Sequence, residues 1–445
     1  MAKKKSLLQA DLESADYMTI ISGGGTSQVF RKNELADYSY STGIAILDYA
    51  LAYEIIIRDE TNKIVGKRIC SGLQAGSFNV ITGKTQSFKT TLAVQMISNI
   101  AYANGGNVLH YDAENRITLE RVKQLSKLPE EWFSAEYPRY SLRKGAIGYN
   151  TLQNDITEIY ENKMRYKDVI TKPVGEVDCR NHPIELMPPT MVFVDSLQNL
   201  ISDDNSYDVN SKNFDNSKEL RSNMYGAQSA KTIRGLITDI IPMLREANII
   251  LIVIAHKTSN VAASPFAPVA KQFQYGSNNE RTSGGSAVEY NASAVINLTG
   301  KVDADSRFFE ETDGFDGNTV LYEQTKASTN ESGNVKTGLG FEFIIDKKRN
   351  GIDNVRSLIY FLRDRGRIKG NKAGYKVIDK NGEEISTKFT WKTVYDDFSK
   401  SPESYKAFML TAKEELLKLV SDSKDVSGTI RPFNLDDIID GFNEN

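Results

Sequence analysis

Residues 77–90 read SFNVITGKTQSFKT. An apolar run of strand length ends on Gly83. Six residues later Lys89 and Thr90 open TTLAVQMISNIAYAN (90–104), whose apolar spacing predicts a helix. Strand, glycine-led loop, and helix opening on Lys-Thr is the layout of a phosphate-binding loop, G-x-x-x-x-G-K-[ST]. Gly83, Lys89 and Thr90 keep its spacing, while Phe88 stands at the second glycine. In such a loop successive backbone N–H groups face phosphate oxygens, and the helix adds its positive end. The candidate nucleotide-binding residues are therefore Gly83, Lys84, Thr85, Gln86, Ser87, Phe88, Lys89, Thr90 and Thr91. Lys89 would reach the β- and γ-phosphates, and the Thr90 hydroxyl would hold Mg2+. A bulky residue at 88 counts against this only if the position demands a positive φ.

Further apolar runs follow at helix-length intervals: NVLHYDAE (107–114), TMVFVDS (190–196), IILIVIAH (249–256), SAVINLTG (293–300), FEFIIDKKR (341–349) and SLIYFLRD (357–364). Strand-length apolar runs alternating with helices predict an α/β fold whose mainly parallel sheet is covered on both faces. Upstream, GIAILDYALAY (43–53) has roughly helical spacing, and LLQADLESADYMTI is read as a short helix before SGGGTS (22–27). From about 371 the chain reads as a separate small module ending in an acidic tail.

Open parallel sheets place ligands at the carboxyl ends of their strands. Three strand ends carry suitable groups. MVFVDS ends in Asp195, a carboxylate placed to order an Mg2+ shell; its ordinary alternative is a turn aspartate. VLHYDAE ends in Asp112 and Glu114. Glu114 suits the polarisation of a water for attack on a γ-phosphate, whereas Asp112 suits a helix N-cap. IILIVIAH puts His256 at the same edge, placed to touch the γ-phosphate and report it to the segment that follows.

The bulk numbers narrow the class. A chain of 445 residues that is 25% charged and 40% hydrophobic has a soluble globular composition. Its longest apolar run, IILIVIA, is far shorter than the roughly 20 residues a spanning helix needs. The basic start turns acidic before an apolar region forms, so no signal peptide is read. Cys70 and Cys179, the two cysteines, form no CxxC pair, which disfavours a zinc site or disulfide framework and suits a reducing cytoplasm. A net charge of −3 does not announce nucleic-acid binding; any such site must be locally basic.

With these strands in order the chain resembles the RecA-type recombinases, most closely the phage branch typified by UvsX, whose phosphate loop also reads S-F-K. YDAENRITLERVKQL resembles the family's YDSE-type strand end, VFVDSLQNL its Walker B segment, and RTSGGSAVEYNASAVINLTGK (281–301) the stretch after its second DNA-binding loop. The resemblance covers about residues 28–370 and implies a RecA-like P-loop ATPase core. By it, Lys89 and Thr90 bind phosphate and Mg2+, Glu114 is the catalytic glutamate, Asp195 the Walker B acid and His256 the γ-phosphate sensor. IIDKKRNG resembles a basic turn reaching a neighbouring protomer's ATP, which would make Lys347 and Arg349 trans-acting cations rather than a solvated turn. VFRKNE (29–34) resembles the segment docking one protomer on the next, with Phe30 as anchor. Arg121 departs from the pattern: many relatives stack an aromatic on adenine there, although a guanidinium also stacks. Segment 164–189 is longer than the family requires.

The resemblance also implies three parts: an N-terminal docking segment (1–75), an ATPase core (76–370) and a C-terminal module (371–445). Two DNA-binding loops would fall at about 200–226 and 257–283. The first offers Lys212, Lys218, Arg221 and Tyr225; the second offers Lys257, Phe273, Tyr275 and Arg281. Cations there would meet phosphate and aromatics would stack on bases; composition alone would read both as plain surface loops. The implied partners are single-stranded DNA, homologous duplex DNA, further copies of the chain in a helical filament, and a single-strand-binding protein and loader. The implied setting is the cytoplasm, that of a bacterial host if the protein is phage-encoded. Two alternatives stay open: a hexameric replicative helicase motor on the same core, and an ATP-binding recombination mediator without turnover.

Overall fold

The computed structural model describes residues 37–83, 87–201, 218–259, 280–282, 286–301, 317–327, 339–346, 351–371 and 373–420. For 218–231, 258–259, 280–282, 286–287, 299–301, 317–327, 339–342, 346 and 420 it describes the backbone alone.

The α/β expectation holds. The main sheet takes strands β1 (Phe78–Gly83), β2 (Asn107–Asp112), β3 (Tyr140–Lys144), β4 (Thr190–Asp195), β5 (Ile249–Ser259), β6 (Glu280–Thr282), β7 (Ala294–Lys301), β8 (Gly317–Ala327), β9 (Leu339–Asp346) and β10 (Gly351–Ile352). Their order is β10-β9-β8-β7-β1-β5-β4-β2-β3, with β6 on the end of β5. From β7 to β3 every neighbouring pair is parallel, and from β7 to β10 every pair is antiparallel.

Strand side chains alternate between two apolar cores, because successive residues point to opposite faces. On one face Ile81, Val108, Phe193, Ile252 and Ile296 pack with α2 (Lys89–Ala103) and α3 (Leu119–Ser126). The same cluster takes in α1 (Ala45–Ala50), α7 (Asn354–Asp364) and α8 (Pro402–Val420), so residues from both ends of the described chain share one core with the sheet. On the other face Val80, Leu109, Val192, Val194 and Leu251 pack with α4 (Tyr149–Arg165), α5 (Lys218–Glu246) and α6 (Ser286–Asn291). Covering both faces explains why the central strands read as unbroken apolar runs.

Three expectations are corrected. SLIYFLRD is not a strand but lies in the helix α7. The Asp353 carboxylate caps that helix by accepting the Arg356 N–H at 2.9 Å, and Val355, Leu358, Ile359 and Leu362 recur at helical spacing into the core. The segment at 200–226 is not one loop: from Lys218 it is α5, whose Ile233, Leu236, Ile237, Ile240 and Leu244 are buried on the sheet. That apolar stripe anchors the helix, and propagation toward its N-terminus adds one hydrogen bond per residue fixed. The segment at 257–283 begins and ends as paired strand, with Lys257 opposite Thr282 and Ser259 opposite Glu280.

The long segment at 164–189 contains an antiparallel hairpin, Lys172–Val177 with Pro183–Leu186. It is tied to a second hairpin, Tyr53–Arg58 with Ile64–Cys70, by Arg68 donating to the Val177 carbonyl at 2.8 Å. Among the described residues no helix is long and apolar enough to cross a membrane.

Candidate nucleotide site

Register fixes the site before any side chain is considered. Gly83 at the end of β1 lies opposite His256 on β5 and Leu298 on β7. Asp195 at the end of β4 lies opposite Asp112 on β2. The strand ends that carry the candidate groups are thus adjacent along one edge of the sheet, where α2 also begins.

The turn after β1 needs its glycine. Gly83 has φ +153°, and a Cβ there would meet the Leu298 carbonyl oxygen at 2.3 Å and Ser87 Oγ at 2.8 Å. At the other end of the loop Phe88 has φ 61° and ψ 24°, the left-handed region, at the point where α2 starts. Position 88 therefore does demand the conformation that the motif's second glycine supplies, and the chain adopts it with a phenylalanine. The Phe88 side chain is half-buried against the larger core, and that burial offsets the backbone cost.

Lys89 is buried, and its Nζ donates to the Gly83 carbonyl at 3.1 Å and to Ser87 Oγ at 3.4 Å. It thus reaches back across the loop toward the first residue of the motif. Thr90 Oγ1 donates to Asp195 Oδ2 at 2.6 Å, joining the start of α2 to the end of β4. Glu114 is held from three sides. Its Oε1 accepts from Ser196 Oγ at 3.1 Å and from His256 Nε2 at 3.0 Å; its Oε2 lies 3.4 Å from Arg116 Nη1. Its backbone N–H donates to the Asp195 carbonyl at 3.1 Å.

Lys89 faces Asp195 and Glu114, while Lys144 Nζ lies 3.6 Å from Asp112 Oδ2 and Arg116 Nη1 lies 3.4 Å from Glu114 Oε2. Burial pushes the Asp195 carboxyl up to about 6; the Thr90 hydroxyl and Lys89 oppose this, while Glu114 and Asp112 add to it. Burial lowers Lys89, against the pull of Asp195 and Glu114. The buried Asp195 carboxylate beside a threonine hydroxyl is a donor set that fits a divalent cation. Thr90 and Asp195 would hold it, and bound there it would neutralise charge on phosphate oxygens. Among the described residues no group of three or more His, Cys, Asp or Glu side chains forms a metal cage. Mg2+ with two protein ligands, phosphates and water needs none.

Asp112 has a different task from the N-cap expected of it. Its carboxylate accepts the N–H groups of Arg116 at 3.2 Å and Ile117 at 3.1 Å, closing the turn that carries Glu114. Thr118 caps α3 instead. Ser196 and Arg116 carry no motif signal of their own. Ser196 is legible only as the residue after Asp195, and Arg116 only once the turn at 112–117 is built. Arg121 sits in the first turn of α3, donating its N–H to Thr118 Oγ1 and reaching Gln124 Oε1 at 3.4 Å.

Phe30, Lys84, Thr85, Gln86, Lys212, Phe273, Tyr275, Lys347 and Arg349 lie outside the described residues. Lys218, Arg221 and Tyr225 belong to the first turns of α5, not a loop, and their spacing is that of one helix face. Lys257 and Arg281 are strand residues of the β5–β6 ribbon that leaves the sheet directly after His256.

No family model and no curated protein matches the sequence. Among solved structures, a crystal structure of the RadB recombinase matches at 17% identity and a TM-score of 0.35, covering 63% of this chain and 92% of that one.

Proposed function

We propose that this chain is an ATP-dependent DNA recombinase of the RecA type, of the UvsX-like phage branch. It would form helical filaments on single-stranded DNA and promote homologous pairing and strand exchange. One observation carries the reading: Lys89, Thr90, Asp195, Glu114 and His256, spread over 168 positions of sequence, meet at one sheet edge. A phosphate loop alone binds a nucleotide. A glutamate whose backbone N–H bonds the Asp195 carbonyl and whose carboxylate accepts from a histidine at the root of a β-ribbon can couple turnover to whatever the ribbon holds.

In this reading Lys89 binds the β- and γ-phosphates, and Glu114 accepts a proton from a water whose oxygen attacks the γ-phosphorus. The bond from the γ-phosphorus to the bridging oxygen breaks, and ADP leaves with the electron pair. Thr90 and Asp195 would hold Mg2+, which when bound would supply charge neutralisation on the phosphate oxygens. Residues 1–75, with Phe30, dock protomers; 76–370 form the ATPase core; 371–445 form a module with an acidic tail. Lys347 and Arg349 complete a neighbour's site in trans, and Arg121 lies against the base. DNA is gripped by residues from 200–226 and 257–283, with a single-strand-binding protein and a loader assisting in the host cytoplasm.

The test is an ATPase assay with and without single-stranded DNA, paired with electron micrographs of the same samples. Expected are DNA-stimulated hydrolysis, its loss by roughly a hundredfold or more in Glu114→Gln, and open helical filaments with ATP and Mg2+. Closed rings would instead favour the helicase alternative, and unchanged turnover in Glu114→Gln would remove the glutamate from its role.

A further inference from the structure

The hydrogen-bond inventory of Glu114 is lopsided. Oε1 takes two donors, Ser196 and His256, which come from buried or half-buried positions. Among the described residues, Oε2 faces one partner, the Arg116 guanidinium at 3.4 Å, whose side chain is 76% exposed. With two donors already on Oε1, a water that Glu114 is to orient falls to Oε2, where Arg116 competes for it. The position of Arg116 is not accidental. Asn115 adopts φ 55°, and the two oxygens of Asp112 take the N–H groups of Arg116 and Ile117. The turn therefore presents a carboxylate and a guanidinium two residues apart at the strand edge. A guanidinium pairs with phosphate at least as readily as with a carboxylate, and its planar fork suits oxygens of a terminal phosphate.

We propose that Arg116 is a phosphate-facing cation supplied in cis, which pairs with Glu114 Oε2 in this structure and moves to the terminal phosphate of a bound nucleoside triphosphate, releasing that oxygen to water. The proposal rests on the nucleotide site described above. It assigns to this chain a cation for the terminal phosphate that is independent of any neighbouring subunit. It also gives Glu114 two conditions: masked without a triphosphate, free with one.

The experiment is equilibrium binding, without DNA, of fluorescent ADP and of a fluorescent non-hydrolysable ATP analogue, both with Mg2+. Wild type is compared with Arg116→Gln and Arg116→Lys. Arg116 is exposed, so neither change disturbs the core. Arg116→Gln is expected to weaken the ATP analogue by roughly tenfold while leaving ADP within about twofold, and Arg116→Lys is expected to recover part of the loss. An equal loss for both nucleotides, or no loss for either, overturns the proposal and leaves the phosphate-loop reading intact. A wild-type protein that binds neither nucleotide overturns both.

Discussion

His256 Nε2 and Glu114 Oε1 lie 3.0 Å apart, across the end of β4, which separates their two strands. A carboxylate only accepts, so the proton of this hydrogen bond sits on Nε2. His256 is also the last residue of β5 before Lys257 pairs with Thr282 in the β5–β6 ribbon. One side chain thus touches the acid proposed for hydrolysis and opens the ribbon proposed to meet DNA. His256→Ala is expected to leave DNA-independent hydrolysis within about threefold while reducing stimulation by single-stranded DNA by roughly tenfold, the scale of a coupling energy of 1–2 kcal/mol. Rates with and without DNA measure both quantities. Equal loss of the two rates would mean that the histidine only supports Glu114.

Phe88 yields a stability test at the residue that breaks the motif. Its left-handed backbone costs an L-residue about 1–2 kcal/mol, and its half-buried ring returns a similar amount. Phe88→Gly removes both contributions, so it is expected to change stability by less than about 1 kcal/mol. Phe88→Val keeps the backbone cost, adds a β-branched clash and loses ring packing; it is expected to destabilise by about 2 kcal/mol. Urea denaturation midpoints of the two variants measure the difference. If Gly and Val cost the same, the backbone angle is not what distinguishes this position.

Much of the candidate site is legible in the sequence because the parallel sheet does the assembling. Once SFNVITG, VLHYDAE, MVFVDS and IILIVIAH are read as parallel strands, their last residues must share an edge. Gly83, Glu114, Asp195 and His256 follow without tertiary knowledge. Other features depend on relationships that periodicity does not carry. Arg116 reaches Glu114 only through a turn set by Asn115 and Asp112. In the hairpin at Tyr53–Cys70 the first strand buries only alternate residues, Tyr53, Ile55 and Ile57, and the hairpin at Lys172–Leu186 is largely exposed or half-buried, so neither reads as a long apolar run. SLIYFLRD looks like a buried strand because a short apolar run has no period of its own; the capping Asp353 lies just outside it. The start of α5 reads as loop because its Ser, Asn and Gly residues hide a helix that is anchored more than two turns downstream.

His110 links the middle of the same sheet to acid stability. It is fully buried on β2, with its ring 4.5 Å from that of Phe193 and its Nδ1 2.9 Å from the Tyr140 hydroxyl. Among the described residues its Nε2 has no hydrogen-bond partner. Burial, with a smaller contribution from Lys144, holds the ring neutral down to about pH 3, against an ordinary value of 6.5. The unfolded chain takes up this proton as pH falls below about 6.5, and the folded chain does not. The stability tied to neutral His110 is therefore fully present above that pH and drains away toward pH 3. Between pH 7.5 and 5 the loss amounts to about 2 kcal/mol. His110→Phe abolishes the titration at the cost of leaving the Tyr140 hydroxyl unpaired, which lowers stability at every pH by about 1–3 kcal/mol. Urea midpoints of wild type and His110→Phe, taken from pH 7.5 to 5, are expected to converge by about 2 kcal/mol on acidification. Parallel curves would show that the ring is protonated in the folded protein or that its burial costs nothing.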